Sequence, residues 1–250
     1  MRTFHYSTFC NENSRNTLPT PSEIRAISKK SGKCHISFNY PSSVKIPSFG
    51  LLVKYRANVT VIEAQTQIML HEYLKDQVPI PTVFAWAEDG GQVFIYMSLI
   101  DSETLQERWS DMNKNERQAL EQDSHSPYIR SLSRPPLNKI FLSSHPELTG
   151  PFQDTNAVQK FQDAYRIKIS EEVPIIFTHD DFVPPNILLS PGPNPGMAAI
   201  IDWGQAGWYP AYWEYCKARR RTKYLPMILH PVDEEAIYHP WLHFVLSKGI

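Results

Sequence analysis

A polar loop held between apolar strands dominates the sequence. Val173–Phe177 reads as a buried strand, and Ile187–Leu189 and Met197–Ile201 form an apolar pair around the loop SPGPNPG. Between the first two runs lies Phe177-Thr178-His179-Asp180-Asp181-Phe182-Val183-Pro184-Pro185-Asn186, which contains His-x-Asp-x-x-x-x-Asn. Sixteen residues after Asn186, Asp202 leaves the last run inside Ala199-Ile200-Ile201-Asp202-Trp203-Gly204. Phosphoryl transfer needs these residue types. One carboxylate orients and deprotonates the attacking hydroxyl, while a second carboxylate and an amide oxygen hold magnesium on the ATP phosphates. An Asp and an Asn five positions apart can face one cleft from both sides of a short loop, and Asp202 can meet them there. The plainer alternative makes Asp181 and Asn186 turn and cap residues and Asp202 a turn starter.

Composition narrows the partners. Lys plus Arg is 25 against 26 Asp plus Glu, a formal net charge of -1, which removes the electrostatic case for nucleic acid or an anionic membrane. A 42% hydrophobic share excludes a disordered chain. The 21 prolines against 10 glycines point to fixed loops rather than long uninterrupted helices. Cys10, Cys34 and Cys216 are odd in number and far apart, which argues against zinc and against a secreted disulfide framework. The first residues lack the apolar run of a signal peptide, and no stretch approaches a membrane span. A cytoplasmic protein is expected. Its oligomeric state is not indicated.

Residues 1–47 carry little signal beyond Ser, Asn, Pro and Lys. Leu51-Leu52-Val53-Lys54-Tyr55 reads as a strand with Leu52 and Lys54 on one face. Thr60-Val61-Ile62-Glu63 fits a capping box that opens an amphipathic helix, ended by Pro79 and Pro81. Thr82–Trp86 and Val93–Met97 form two strands around a Glu88–Gly91 turn. A hinge-like stretch from Ser98 to Ser102 precedes a helix over 103–122, interrupted near Met112–Asn115. Residues 123–152 look irregular, a helix is expected over 156–169, and helices with proline breaks dominate from Tyr209 on. Lys54 in an apolar strand needs a partner unless it snorkels. Glu63 or Glu72 could supply one, and their nine-residue separation puts them on opposite helix faces.

The segments FTHDDFVPPNILL and AAIIDWGQAGWYPAYWEYCKAR resemble the aminoglycoside phosphotransferase family, especially its fungal members, within the protein-kinase-like superfamily. The likeness extends to LLVKY–NVTVIEAQ, GGQVFIYMSLIDSETLQERW and SPYIRSLSRPPL, covering roughly residues 50–230. It implies an α+β, kinase-like two-lobed fold: a β-rich nucleotide-binding lobe over 1–97 and a mainly helical catalytic and substrate lobe over 98–250. It implies Asp181 as catalytic base. His179, the second catalytic-site candidate, reads as a residue that braces the loop through hydrogen bonds rather than as a base. By the same likeness, Asn186 and Asp202 become magnesium ligands. Lys54 binds the ATP α/β-phosphates, Glu63 pairs with Lys54, and Met97 and Leu99 belong to the hinge that receives adenine.

Three features depart from the family pattern. Asp180 stands where a glycine is usual, adding a negative charge expected to raise a neighbouring carboxylate's pKa and oppose ATP. About a dozen residues of the helix after the hinge are absent, on that resemblance. No Gly-rich loop precedes Lys54, since residues 31–50 offer only Gly32 and Gly50. The basic run Lys217–Lys223 reads as a solvated helix face, or else as a site for an acidic substrate. His239 and His243 have metal-like spacing but no evident third ligand. The cluster Trp203, Trp208, Tyr209, Tyr212, Trp213 and Tyr215 reads mostly as core, with a ring or two free to line a pocket. The expected function is ATP- and magnesium-dependent phosphate transfer to a hydroxyl of a small molecule. The alternative is a catalytically silent kinase-like module that binds nucleotide or a partner.

Overall fold

Strand alternation in Leu51–Arg56 organises the N-terminal half. Leu51, Val53 and Tyr55 point into a core with Ile24, Val44, Phe84, Phe94 and Tyr96. Leu52 points the other way, toward Val59, Ala64, Val83, Trp86, Ile95 and Met97. A sheet apolar on both faces must be covered on both, and here a helix lies on each side. The computed structural model describes residues 2–3, 17–30, 42–56, 58–74, 78–122, 163, 173–222, 229 and 231–248. The chain divides into two compact units, Met1–Asp101 and Ser102–Ile250.

In the first unit the strands are β1 (Arg2–Thr3), β2 (Ser42–Ile46), β3 (Leu51–Arg56), β4 (Val83–Asp89) and β5 (Gln92–Ser98). They form one antiparallel sheet in the order β1-β4-β5-β3-β2. Asp89 pairs with Gln92, so Gly90 and Gly91 alone make the β4–β5 turn. Their φ values of 59° and 72° are those of a type I′ turn, which suits the twist of the flanking strands. The expected Glu88–Gly91 turn is thus tighter, and both strands run longer.

Helix α1 (Pro21–Lys30) arises in the stretch that carried least signal. Its start is nonetheless written in the sequence. Thr20 precedes a proline at the first helical position, and Glu23 closes a capping box: the Thr20 N–H donates to Glu23 Oε2 at 2.7 Å and the Glu23 N–H to Thr20 Oγ1 at 3.4 Å. Arg25 ties α1 to the β4–β5 hairpin through the Asp89 carboxylate, the Asp89 carbonyl and Gln92, and lies over the Phe94 ring. Helix α2 (Val61–Leu74) covers the other face, with Ala64 and Leu70 fully buried.

The second unit contains two small sheets. One joins β6 (Glu103–Thr104), β8 (Ile187–Leu189) and β9 (Met197–Ile200). The other pairs β7 (Ile175–Thr178) with β10 (Gly207–Pro210), antiparallel. The helix expected over 103–122 is instead β6, the one-turn α3 (Leu105–Arg108) and α4 (Lys114–Gln122). Thr104 caps α3 in a reciprocal box with Glu107, and the Asn113 side chain caps α4, so the chain restarts rather than continues. After β10 come α5 (Trp213–Arg221), a π-helical turn at Glu234–Tyr238 and α6 (His239–Lys248). The expected irregular stretch over 123–152 and SPYIRSLSRPPL fall outside the described residues, as does the helix expected over 156–169 except for Asp163, which is helical.

Aromatic rings fill this unit. Trp203, Tyr209, Tyr212, Trp213 and Tyr215 are buried, as are Trp241 and Phe244. Trp213 stacks on Tyr209 at 5.4 Å and meets Trp241 edge-on at 5.9 Å. No helix among the described residues is long and apolar enough to cross a membrane.

Replacing Ile24 by Ala opens a cavity under α1 and is expected to cost about 2–5 kcal/mol, read as a lower urea midpoint. Tyr73→Ala, at a position 59% exposed on α2, should stay within about 0.5 kcal/mol of the parent. Equal midpoints for the two variants would show that α1 is not part of the core.

Candidate active site

The loop between β7 and β8 is fixed at its C-terminal end by its own prolines. Val183 is extended (φ −131°, ψ 155°), as a residue before proline must be, and Pro184-Pro185-Asn186 forms one 3-10 turn. The Asn186 N–H closes that turn on Val183 O at 2.8 Å. The Asn186 side chain then folds back. Its Nδ2 donates to Asp181 O at 2.9 Å and to Asp181 Oδ2 at 3.1 Å. This leaves the amide oxygen Oδ1 directed away from Asp181.

Asp202 joins these two through the β8–β9 ladder. Ile187 pairs with Ile200, and the next rung is the Ile201 N–H donating to Asn186 O at 2.9 Å. Asp202 follows directly, half-buried, in a left-handed conformation (φ 66°, ψ 57°) that a non-glycine residue adopts at a cost. The hairpin register therefore gathers Asp181, Asn186 and Asp202 at one end of one small sheet.

His179 is completely buried and uses both ring nitrogens. Nδ1 accepts the Asp181 N–H at 3.1 Å, so Nε2 carries the proton and donates to Ile201 O at 2.9 Å. The ring packs edge-on against Trp203 at 4.6 Å. It links the loop to the strand end before Asp202.

Helix α5 supplies what sequence reasoning missed. Glu214, Lys217 and Arg221 are spaced three and four apart, hence on one face. Glu214 is fully buried. Its Oε2 accepts the Asp180 N–H at 2.5 Å and its Oε1 the Phe182 N–H at 3.0 Å, so one carboxylate grips the backbone on both sides of Asp181. Arg221 forms an ion pair with Asp181 Oδ1. Lys217 reaches the Asp180 carbonyl and lies 3.0 Å from Asp180 Oδ1. Lys217 and Arg221 of the basic run therefore reach the motif loop, Lys217 largely buried and Arg221 still exposed to solvent, as the solvated-face reading expects. The signal was a lone Glu between Trp213 and Tyr215 with cations one and two turns on.

Asp180 differs from expectation in the same way. Its φ of 60° explains why glycine suits the position and why Asp is tolerated. Its carboxylate, however, is fully buried, accepting from Trp213 Nε1 at 2.7 Å as well as pairing with Lys217. The charge expected to crowd a neighbouring carboxylate is buried in the C-terminal unit. It is Asp180 itself whose pKa is raised, to about 7. Burial is the largest cause and the Glu214 charge adds to it, against the pull of Lys217 and the Trp213 hydrogen bond.

The N-terminal unit holds the other candidates. Lys54 and Glu63 are both buried, with Nζ 2.5 Å from Oε1. Thr60 Oγ1 accepts the Glu63 N–H at 3.3 Å, as a capping residue should, while the Glu63 carboxylate is turned to Lys54. Glu72 is exposed. Met97 is a core residue between Leu52 and Val83 of the adjacent strands, and Gln67 Nε2 donates to its sulfur at 3.8 Å. The Leu99 N–H donates to Gly50 O at 2.8 Å, tying the end of β5 to the turn before β3. Gly50 ends that turn with φ 57°, and Gly32 lies outside the described residues. No group of three potential metal ligands from His, Cys, Asp and Glu occurs among the described residues; His239 pairs with Glu235 at 3.3 Å.

Comparison with solved structures bears on the fold. Aminoglycoside phosphotransferase APH(4)-Ia is 15% identical, with 77% of this chain and 76% of that chain covered at a TM-score of 0.50. The fold is protein-kinase-like. The gentamicin-APH(2")-IIa complex is 15% identical, covering 93% and 89% at a TM-score of 0.49. Aminoglycoside-3'-phosphotransferase of type VIII is 15% identical, covering 90% and 92% at 0.47. Residues 135–228, which include the whole motif loop and α5, match the phosphotransferase enzyme family APH. Among curated proteins, none matches the sequence significantly.

The raised pKa of Asp180 has a pH signature. The folded chain holds this proton up to about pH 7, whereas an unfolded Asp releases it near 3.8. Between those values the folded state binds the extra proton, so this group's contribution to stability falls as pH rises from about 4 to about 7. Asp180→Asn keeps an acceptor for Trp213 and Lys217 and tolerates the left-handed backbone. Thermal melts from about pH 5 to 8 should show the variant gaining on the parent as pH rises; parallel curves would refute the shift. Glu214→Ala should cost at least about 2 kcal/mol, because it strands two buried N–H groups.

Proposed function

We propose that the chain is an ATP- and magnesium-dependent phosphotransferase acting on a hydroxyl of a small molecule. It would be a member of the aminoglycoside phosphotransferase family, of the fungal type its motif loop resembles. The observation that carries this reading is the joining of Asp181, Asn186 and Asp202 by the Asn186 amide and the β8–β9 register. The family match over 135–228 and the kinase-like fold support it.

The donor set suits magnesium. Asn186 Nδ2 is committed to Asp181, which aims the hard amide oxygen Oδ1 elsewhere, and the Asp202 carboxylate supplies a second hard oxygen. The cation would neutralise the ATP phosphates when bound. Asp181, fixed through both neighbouring N–H groups by Glu214, orients the acceptor hydroxyl and takes its proton. Two carboxylate oxygens offer about four lone-pair sites, so a hydroxyl can be accepted beside Arg221 and Asn186. His179 keeps the loop at its distance from Asp202. In the N-terminal unit, Glu63 holds Lys54 extended for the α/β-phosphates. Met97 and Leu99 would contribute side-chain and carbonyl contacts to adenine, since the Leu99 N–H is already engaged.

The silent-module reading has one observation in its favour, the Arg221 guanidinium seated on Asp181. Turnover separates the two. Mg-ATP at 100 times its dissociation constant should stabilise by about 2.7 kcal/mol, or roughly 5–10 °C in melting temperature. Asp202→Ala should lose most of the magnesium-dependent part. Asp181→Asn should keep nucleotide binding and lose ADP release by about 100-fold or more. An unchanged melt at millimolar Mg-ATP sinks the nucleotide reading. A normal shift with no ADP release from ATP in the presence of any acceptor leaves the silent module.

A further inference from the structure

Within the C-terminal unit, α5, α6 and Gln205 line a partly open cavity of about 130 Å³. Trp213, Trp241 and Phe244 form its apolar side, and Lys217, Arg220 and Arg221 its polar side. Among the described residues, no acidic side chain lines it. We infer that this cavity is the acceptor subsite, and that it takes a hydroxy compound with an apolar ring or short chain and an anionic group, not a polycation. The inference rests on the phosphotransferase reading and names the substrate class for it.

Three observations converge. The first is position: the cavity's Lys217 and Arg221 are the residues that contact Asp180 and Asp181, so the cationic wall is continuous with the carboxylate proposed to meet the acceptor. The second is size. A space near 130 Å³ is comparable to the apolar cavity of about 150 Å³ known to admit benzene, and well below that needed for a whole multi-ring sugar. The third is charge. Lys217 and Arg221 are ion-paired with Asp180 and Asp181, so the excess positive charge of this wall comes from Arg220; it attracts a carboxylate or phosphate and repels ammonium groups, most strongly where apolar rings exclude water. Arg220 is exposed and Arg221 has five N–H donors, of which Asp181 takes one on Nη1, so both can turn toward an anion. Placement at the α5 C-terminus accounts for cations in the last turn through the helix dipole, but not for their sharing a cavity with two tryptophans.

In the reaction, the acceptor oxygen forms a bond to the γ-phosphorus as the bond to the β–γ bridging oxygen breaks. ADP leaves, and the hydroxyl proton passes to Asp181. The anionic group stays on the cationic wall throughout and orients the hydroxyl.

The test compares three ring compounds on the full chain: phenylacetate, 2-phenylethanol and phenethylamine, followed by tryptophan fluorescence. Phenylacetate should bind saturably and at least tenfold tighter than the other two, weakening as salt is raised. Arg220→Glu, at an exposed position where folding is not at stake, should weaken phenylacetate about tenfold or more and improve phenethylamine. With Mg-ATP present, 3-phenyllactate should stimulate ADP release more than kanamycin does. Equal or tighter binding of the amine, no saturable binding of the acid, or preferential turnover of kanamycin overturns the inference. The Mg-ATP melt is a separate readout: its failure removes the phosphotransferase reading whatever the fluorescence shows, and its success with an amine preference removes only the anionic acceptor.

Discussion

One buried carboxylate sets the geometry of the motif loop. Glu214 has no access to water, and it receives the N–H groups of Asp180 and Phe182. Those two donors flank Asp181 and would otherwise be buried without an acceptor in a loop too short for sheet pairing. Gripping both fixes the direction in which Asp181 projects. An ionised group in such a place is costly unless its lone pairs are filled and a countercharge is near. Lys217, one turn further along α5, lies at the neighbouring Asp180, so helix periodicity brings countercharge to the same buried cluster. The Trp213 hydrogen bond to Asp180 belongs to the same cluster. Anchor, countercharge and cap all come from the first five residues of one helix, Trp213 to Lys217.

Much of this architecture could be read from the sequence because it is local. The Leu51–Tyr55 alternation gives both faces of the first sheet. The spacing of Glu63 and Glu72 leaves only one able to face the strand, and the structure pairs Glu63 with Lys54. The hairpin after Asn186 follows from two apolar runs and a turn-rich link. What could not be read is mostly non-local. Glu214 lies more than 30 residues from the N–H groups it accepts. A charged helical residue looks solvated until the loop that needs it is folded against it. Likewise Arg221 meets Asp181 only because α5 returns alongside the loop. Helix α1 was missed for a different reason: its capping box was legible, but the helix has few apolar residues, and the one that matters, Ile24, becomes core only once the sheet exists.

The Lys54–Glu63 pair and the Asp180–Lys217 pair show two uses of buried charge. In the first, both partners lie on regular elements, strand and helix, and the pair fixes a cation at a defined height on the sheet. In the second, one partner sits in a left-handed loop position and titrates near neutrality. The second exchanges a proton within the physiological range.

The left-handed backbone at Asp180 also bears on how such a loop can change. Only glycine, asparagine and aspartate take that conformation readily. In the genetic code, aspartate codons become glycine or asparagine codons by one base substitution. The position can therefore pass among an uncharged hinge, a neutral hydrogen-bonding side chain and a buried acid without an unfavourable intermediate. Lys217, facing it from α5, favours aspartate or asparagine over glycine there, because both side chains can accept its hydrogen bond. Charge at the centre of this loop is thus a property that a lineage can gain or lose in single steps, while the conformation that carries it stays the same.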